Sequence, residues 1–561
     1  MVPMRDGVRL ATDIYRPADV NGPLPVILMR TPYSKQGSAG AGNYFAAHGY
    51  AVAIQDVRGK FESEGQYRVY EGDMTDWTDA FDWIGAQPWS SKRIGSFGCS
   101  YLGEQQIIAA QQRHPMHMAA IAQAAGGNLG RVGRHRTFWG SVEGGTNAVS
   151  INFGWMPVWA SLDKGARPQP KVDFATFLRT LPLIDMTDRA GSPSWDWRNF
   201  LERSPDDPWW DKQGYLTADD SVSVATLHVS SWFDMAAEAL EERAIFERNA
   251  TNARARDGQY AIISPTVHCS SERASAQTRS GALDVGDARL HYWDMYLAWF
   301  ARWLKGDERA IDSLPRIQYY TIGRNAWQTS DRWPVRGMRE TAFYLRSGGR
   351  ANTATGDGRL SLTTPSATER PDTFSYDPAN PVPSRGGSIC CTGNPKDVPG
   401  SFDNADIEQR PDVLVYTGDV LGNDGLELTG PMRAVVNISS DARDTDVTVK
   451  LLDVFPDGRA MNIVEGVTRA RYRDGFSTPK MMAPNTVYEV PVDLHATSWF
   501  LPAGHRLRIE ISSSSFPRFD RNLNTGGRNY DETTWRTAKN TVHHTASRPS
   551  RVILPVVQRS P

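Results

Sequence analysis

Between Arg93 and Gln106 the chain reads RIGSFGCSYLGEQQ. An apolar stretch closes at Phe97, Gly98-Cys99-Ser100-Tyr101-Leu102-Gly103 forms a tight turn, and a helix-forming run follows. A serine carried by small neighbours from a strand into a helix is the layout of a nucleophile elbow, in which a strained backbone exposes the hydroxyl. The helix start also aims free N–H groups at the same point. The string departs from G-x-S-x-G: Leu102 stands two positions after Ser100 and the glycine comes one later, at 103. Taken alone, it also fits an ordinary glycine-bearing βα turn.

A serine hydroxyl needs a base, and two residues stand in the order that this chemistry uses. Asp234 closes the apolar run TLHVSSWFD, 134 residues after Ser100, and His268 closes YAIISPTVH, 34 residues further on. Each alone reads as a capping or loop residue. Together they place an acid and an imidazole at the carboxyl ends of strands, on the sheet edge where ligands bind in open α/β sheets. Neutral His268 would take the Ser100 proton, and Asp234 would fix its tautomer and stabilise the imidazolium. The chemistry is acyl transfer through an acyl-serine.

Elements to position these residues are legible. Apolar runs at 24–33, 50–58, 93–97, 118–123, 224–230 and 259–264 suit parallel strands buried on both faces, with helix-length segments at 71–84 and 101–112 between them. This alternation implies a doubly wound α/β sheet. It stops near Gly127, and residues 129–221, rich in Trp, Pro, Arg and Asp, read as an inserted helical cap. Aromatics at helical spacing over 287–305 predict a helix that seals the α/β domain. From 335 to 561 the chain turns rich in Thr, Ser, Gly and Pro, with alternating runs such as VTVKLLD and LRIEISS, which predicts an all-β jelly roll. The expected domains are therefore 1–128 with 222–334, the cap at 129–221, and the jelly roll.

Composition narrows the classes of function. Among 561 residues, 62 Lys and Arg against 64 Asp and Glu give a net charge of −2, with no cationic field for nucleic acid or an anionic membrane. No apolar run approaches the roughly 18 residues of a membrane span. The N-terminal stretch MVPMRDG has no apolar targeting region, so the cytoplasm is the expected location. Four cysteines, at 99, 269, 390 and 391, are too few for a disulfide scaffold and lack zinc spacing, so neither a metal nor a cofactor is expected. The vicinal pair Cys390-Cys391 has no histidine nearby in sequence and reads as small pocket or core residues. The expected partner is a small-molecule ester or amide, with association of copies of the chain left open.

These residues also carry a resemblance. The chain resembles the cocaine-esterase-like branch of the Xaa-Pro dipeptidyl-peptidase hydrolases, which includes α-amino acid ester hydrolases and glutaryl cephalosporin acylases. The likeness runs through MRDGVRLATDIYRP, RTPYSK, DVRGKFESEG, GCSYLG, SSWFD, FSYDPANPVPSRGG, DVLVYTGD, DTDVTVKLLDVFPDGRA and SSSSFPRFDRNLNTGG. It implies an α/β-hydrolase domain with an inserted cap and a jelly roll over the active site. It further implies Ser100 as nucleophile, Asp234 as triad acid, His268 as base, and an oxyanion hole formed by the Tyr33 hydroxyl and the Tyr101 N–H. Two such donors are worth roughly 3 kcal/mol each in the transition state.

The acyl side departs from parts of that family. The amino-acid ester hydrolases hold a substrate ammonium with carboxylates near the triad acid, but here Met235-Ala236-Ala237 follow Asp234 and the next acid is Glu238. Trp139, Phe153, Trp155, Trp159 and Phe233 are candidate walls of an apolar acyl pocket, although tryptophan in a cap more often packs a core. Cys390 and Cys391, which with Ile389 before them are further candidate pocket residues, stand where the family's cocaine esterase brings a Leu-Phe pair from the jelly roll, which counts against cocaine as the substrate. Expected activities are thus ester hydrolysis first, then α-amino acid ester hydrolase, β-lactam acylase or Xaa-Pro dipeptidyl-peptidase activity, and, outside enzymes, a silent jelly-roll binding module.

Overall fold

A run without polar alternation can bury both faces only between two helical layers, and the six apolar runs do so in the computed structural model, which describes residues 1–126, 129–133, 143–234 and 238–558. We number the strands β1 (Thr12–Tyr15), β2 (Leu24–Thr31), β3 (Ala51–Asp56), β4 (Ser90–Cys99), β5 (His117–Gln123), β6 (Ala225–Phe233), β7 (Gln259–Val267), β8 (Ile317–Thr321) and β9 (Ala326–Ser330). Their order across the sheet is β9-β8-β7-β6-β5-β4-β2-β3-β1. The seven strands from β8 to β3 run parallel, and β1 and β9 close the two edges antiparallel. All residues of β3 and β6 are buried.

Helices α1 (Asp73–Gly85) and α2 (Tyr101–Gln111) match the helix-length segments between the strands. Helix α4 (Tyr292–Phe300) begins later than its aromatic spacing implies, because Asp287 accepts the Arg289 N–H at 3.1 Å and holds the preceding residues in a turn. It continues through a widened turn, Ala301–Lys305, and ends at Gly306 in the left-handed region at φ 81°. Tyr296, Trp299 and Phe300 bury the helix against β2, β3 and β5.

The insertion between β5 and β6 is mainly helical in its described part and is led by α3 (Val149–Trp159). It also holds a short strand pair that the sequence reading lacks: Leu129–Arg131 lies parallel to Leu216–Thr217 and ties the two ends of the insertion together. Strands of two or three residues leave no alternation to read.

The first large sheet ends at Ser330 and a second begins at Met338, running to Val557 as a connected set of mostly antiparallel strands. The two domains share a core in which Trp232 and Phe233 pack with Leu428, Trp499 and Leu501. Backbone bonds cross the junction: Ile322 N–H donates to Ser498 O at 3.1 Å and Phe500 N–H to Ile322 O at 2.8 Å.

A buried charge cluster clamps the same junction. His495 of the β domain has Nε2 2.8 Å from Glu143 and Nδ1 2.6 Å from Glu238, while Arg518 faces Glu143 at 3.6 Å and Glu465 at 2.7 Å. Burial pulls the His495 imidazole down, but the Glu238 and Glu143 carboxylates outweigh it and hold it well above the usual histidine range. A raised folded-state pKa stabilises fully below the unfolded value of about 6.5 and progressively less as pH rises toward the folded value. Thermal melts from about pH 6 to 9 should therefore show the parent protein losing Tm more steeply than His495→Gln. Parallel losses in the two proteins would remove His495 from the pH dependence.

Candidate active site

Ser100 sits between β4 and α2 at φ 63°, ψ −131°, a conformation that a side-chain-bearing residue avoids unless its surroundings impose it. Two glycines allow the surroundings to do so. A Cβ on Gly98 would lie 2.3 Å from the Leu102 Cβ, and one on Gly103 would lie 1.9 Å from the Gln123 carbonyl oxygen. The glycine one place later than the usual elbow is thus the point where α2 meets the end of β5. Gln123 O accepts the Ser100 N–H at 3.1 Å, and Ser100 O accepts the Glu104 N–H at 2.9 Å.

A disulfide between Cys99 and Cys269, 170 residues apart, reinforces this turn. The cysteine count gave no reason to expect a bridge. The available signal was positional, since each cysteine adjoins a candidate site residue, Ser100 or His268. The bridge ties the β4–α2 turn covalently to the loop after β7.

Asp234 and His268 follow directly on β6 and β7. Asp234 is fully buried and its Oδ1 lies 2.9 Å from His268 Nδ1, while Nε2 makes no hydrogen bond among the described residues. Burial pulls the imidazole down, but the Asp234 carboxylate and then the Cys391 sulfur raise it well above the histidine range. Such a pair can accept a serine proton at Nε2 and hold the resulting charge against Asp234.

Tyr33 follows β2, and its hydroxyl accepts the Trp155 Nε1–H at 3.0 Å, with Ser100 also within hydrogen-bonding reach. Burial, with Cys391 second, raises the phenol far above its ordinary range, so the hydroxyl keeps its proton. Because its oxygen takes the indole N–H, that proton is available to donate. Trp159 packs edge-on against Tyr33 with ring centroids 4.8 Å apart. Tyr101 begins α2, and its side chain is buried between Tyr70 and Trp155 with its hydroxyl on Asp73 at 2.9 Å. As the first residue of α2, Tyr101 also carries one of the backbone N–H groups without an acceptor inside the helix.

The expected pocket walls separate into distinct places. Trp155 and Trp159 join the site. Phe153 does not: it is fully buried among Phe174, Phe177 and Trp197, in the interior of the cap. Phe233 is likewise corrected, since its ring packs against Trp499 in the interdomain core. Trp139 lies outside the described residues. Ile389 anchors the jelly-roll loop on Ala148 and Ile151 beside α3. That loop meets the cap at Gly154, where a Cβ would fall 2.1 Å from the Cys391 carbonyl oxygen. The approach carries Cys390 and Cys391 to His268, with the sulfurs and an imidazole nitrogen within 4.8 Å of one another. The vicinal pair therefore does have a histidine beside it, from 122 positions upstream, which spacing along the chain could not reveal.

Glu104, one helical turn after Ser100, is a further buried group that the sequence reading passed over. Burial raises its carboxyl well above the usual range, and the Tyr70 hydroxyl donates to it at 2.6 Å. Its place in the elbow string was the only available sign. Glu238, four positions after Asp234, faces His495 rather than the site.

Comparison with known proteins gives the chain a family. Residues 6–270 match the X-Pro dipeptidyl-peptidase (S15 family), and residues 309–553 match the X-Pro dipeptidyl-peptidase C-terminal non-catalytic domain. A cocaine esterase of Rhodococcus sp. is 35% identical, with 100% of this chain and 98% of the relative aligned. A putative serine esterase of Mycobacterium bovis is 24% identical, over 92% and 90%. The solved structure of an α-amino acid ester hydrolase superposes with a TM-score of 0.84 at 25% identity, covering 99% of this chain and 95% of that one. An aminopeptidase from a marine-sediment Thaumarchaeota archaeon gives the same TM-score at 24% identity, which shows the fold.

The His268 environment sets a pH dependence. Only neutral imidazole accepts a proton, so turnover of an uncharged ester should rise with pH through an apparent pKa above the reference of about 6.5. Cys391→Ser removes one anionic neighbour and should move that limb down. A limb at or below about 6.5 in the parent, or one that Cys391→Ser leaves in place, contradicts this electrostatic reading.

Proposed function

The chain belongs to the cocaine-esterase-like branch of the X-Pro dipeptidyl-peptidase (S15) hydrolases, and on that footing we propose that it cleaves carboxylic esters through an acyl-Ser100 intermediate, favouring an uncharged, apolar acyl group. The observation that carries the reading is the strained Ser100 turn, tied by the Cys99–Cys269 disulfide to the loop that bears the His268–Asp234 pair.

In this reading, Ser100 Oγ attacks the ester carbonyl as His268 Nε2 removes its proton. Asp234, 2.9 Å from Nδ1, holds the tautomer that leaves Nε2 basic and then stabilises the imidazolium. Negative charge developing on the carbonyl oxygen is met by the Tyr33 O–H and the Tyr101 N–H. Trp155 is a positioning residue here, because its N–H occupies the Tyr33 oxygen and leaves the phenolic proton for the oxyanion. Collapse of the tetrahedral intermediate expels the alcohol, which takes the proton from His268. Water then repeats the sequence to release the acid and restore Ser100.

The preference for an uncharged acyl group rests on the carboxylates. An α-ammonium buried without an anion costs several kcal/mol. Met235, Ala236 and Ala237 supply no carboxylate, and Glu238 lies 2.6 Å from His495. This separates the chain from the α-amino acid ester hydrolase that it resembles in fold. It also separates it from dipeptide release, which needs a site for the free amine. Cocaine, which names the Rhodococcus relative, is disfavoured because Cys390 and Cys391 offer little apolar wall. A silent binding module would have no physical need for the polarised His268–Asp234 pair beside a strained serine. The Cys99–Cys269 disulfide tells against the cytoplasmic location expected from the sequence, since such bonds persist mainly in oxidising compartments.

Ser100→Ala should abolish fluorophosphonate labelling and lower kcat by about 10⁴ to 10⁶, with the far-ultraviolet spectrum unchanged. Retention of more than a few per cent of activity would exclude Ser100 as the nucleophile. Tyr33→Phe keeps the ring but removes the donor, so kcat should fall about 10² to 10³ with KM little moved. On the substrate side, phenylacetate methyl ester should exceed phenylglycine methyl ester in kcat/KM at a pH below the amine pKa. Preference for the charged ester would reverse the assignment of the acyl group.

A further inference from the structure

The sulfurs of Cys390 and Cys391 and a ring nitrogen of His268 lie within 4.8 Å of one another. His268 Nδ1 is taken by Asp234 at 2.9 Å, which leaves Nε2 as the nitrogen able to coordinate. We propose that these three atoms form a binding site for a thiophilic divalent cation of the zinc class, and that its occupation reversibly shuts off hydrolysis by removing the Nε2 lone pair from Ser100.

Three features make this a built site rather than a chance approach. First, side chains of adjacent residues ordinarily point to opposite faces of an extended chain. Cys391 adopts φ 59°, in the left-handed region that a side-chain-bearing residue avoids, and this turn brings both sulfurs to one side. Second, the loop is fixed at both flanks. The Ser388 hydroxyl donates to Trp232 O at 3.2 Å, at the end of β6, and Gly154 of α3 leaves room for the Cys391 carbonyl. Third, Asp234 already holds Nδ1 at 2.9 Å, the outer half of the carboxylate–histidine–metal relay by which protein sites orient an imidazole ligand.

The donor set selects the ion. Two thiolates and an imidazole are soft or borderline ligands that favour zinc and cadmium, whereas magnesium and calcium require oxygen. A tetrahedral ion with bonds of about 2.3 Å to sulfur and 2.0 Å to nitrogen needs its ligands somewhat under 4 Å apart, within reach of small side-chain rotations here. The three side chains leave the fourth tetrahedral position for a water molecule. On binding, each thiol still protonated releases its proton to solvent, and the two thiolates neutralise the cation. Binding and proton transfer exclude each other because both use Nε2. The inhibitory half of the proposal rests on the triad reading above; the coordination half does not.

The test uses the full-length protein with its disulfide intact, in buffer free of thiol reductants. Titration with Cd²⁺ should produce an ultraviolet thiolate-to-metal charge-transfer band that saturates at one equivalent. Zn²⁺ should compete for the site, and ester hydrolysis should fall in parallel and return on adding EDTA. Cys390→Ser and Cys391→Ser should each weaken binding at least about 100-fold, with inhibition referred to each variant's own metal-free activity. Should either variant fold poorly, the parent protein gives the same answer: Zn²⁺ should protect Cys390 and Cys391 from iodoacetamide, read by peptide mass spectrometry. Absence of the band, or alkylation of both cysteines unaffected by Zn²⁺, overturns the site. Fluorophosphonate labelling of the metal-free protein separates the two readings. A band with no labelling upholds the metal site and rejects Ser100 as nucleophile, whereas labelling with no band does the reverse.

Discussion

The strained backbone at Ser100 is the constraint around which the site is organised. A side-chain-bearing residue at φ 63°, ψ −131° stores of order 1–3 kcal/mol, so the neighbouring structure must over-determine it. It does so from three directions. Gly98 lets Leu102 close beneath the turn, Gly103 lets α2 touch the Gln123 carbonyl, and Cys99 is tied to Cys269. The bridge has a second consequence. Because Cys269 follows His268, the bond that steadies the serine also limits how far the imidazole loop can move from it, and one covalent link restrains both partners of the proposed proton transfer.

The next constraint is electrostatic. His268 and Tyr33 are both shifted upward, with opposite effects on chemistry. A raised phenol stays a hydrogen-bond donor, which an oxyanion requires. A raised imidazole stays protonated to higher pH, which slows proton abstraction but strengthens the imidazolium once it forms. Cys391 contributes to both, and its own thiol is drawn down to about 5, chiefly by its hydrogen bond from Cys390 against the opposing cost of burial, with His268 next. Residues of a domain whose matched family is described as non-catalytic thus tune two groups of the hydrolase sheet. This is possible because Gly154 admits the loop and because Ile322, Ser498 and Phe500 stitch the two sheets together.

The division between what sequence reveals and what it conceals follows from range. Continuous apolar runs, the elbow string, and Asp234 and His268 at run ends are local patterns set by burial on both faces and by turn chemistry, so the buried strands and the places of Ser100, Asp234 and His268 at their ends could be read directly. The strand pair at 129–131 and 216–217 is too short for any periodicity. The start of α4 moved because a side-chain hydrogen bond at Asp287 competed with helix spacing. Phe153 and Phe233 had the composition of a pocket wall but the packing of core residues, a difference that only three-dimensional neighbours decide. The Cys99–Cys269 bond and the approach of Cys390 and Cys391 to His268 join parts of the chain more than 100 residues apart, where spacing carries no information.

Trp155 shows how a residue can hold a role beyond the one its type suggests. As a cap tryptophan it suggested an apolar wall, and its ring does lie parallel to Tyr101 with centroids 6.3 Å apart. Its indole N–H, however, is a donor only. Placed 3.0 Å from the Tyr33 oxygen, it cannot accept the phenolic proton and so biases that proton toward the space beside Ser100. Histidine or glutamine at 155 could accept as well as donate and would leave the phenol free to turn away from the carbonyl oxygen. The cap therefore contributes polarity as well as shape: one donor-only side chain on α3 sets the direction of the proposed oxyanion donor on β2's loop, across a domain boundary that neither residue reveals in sequence.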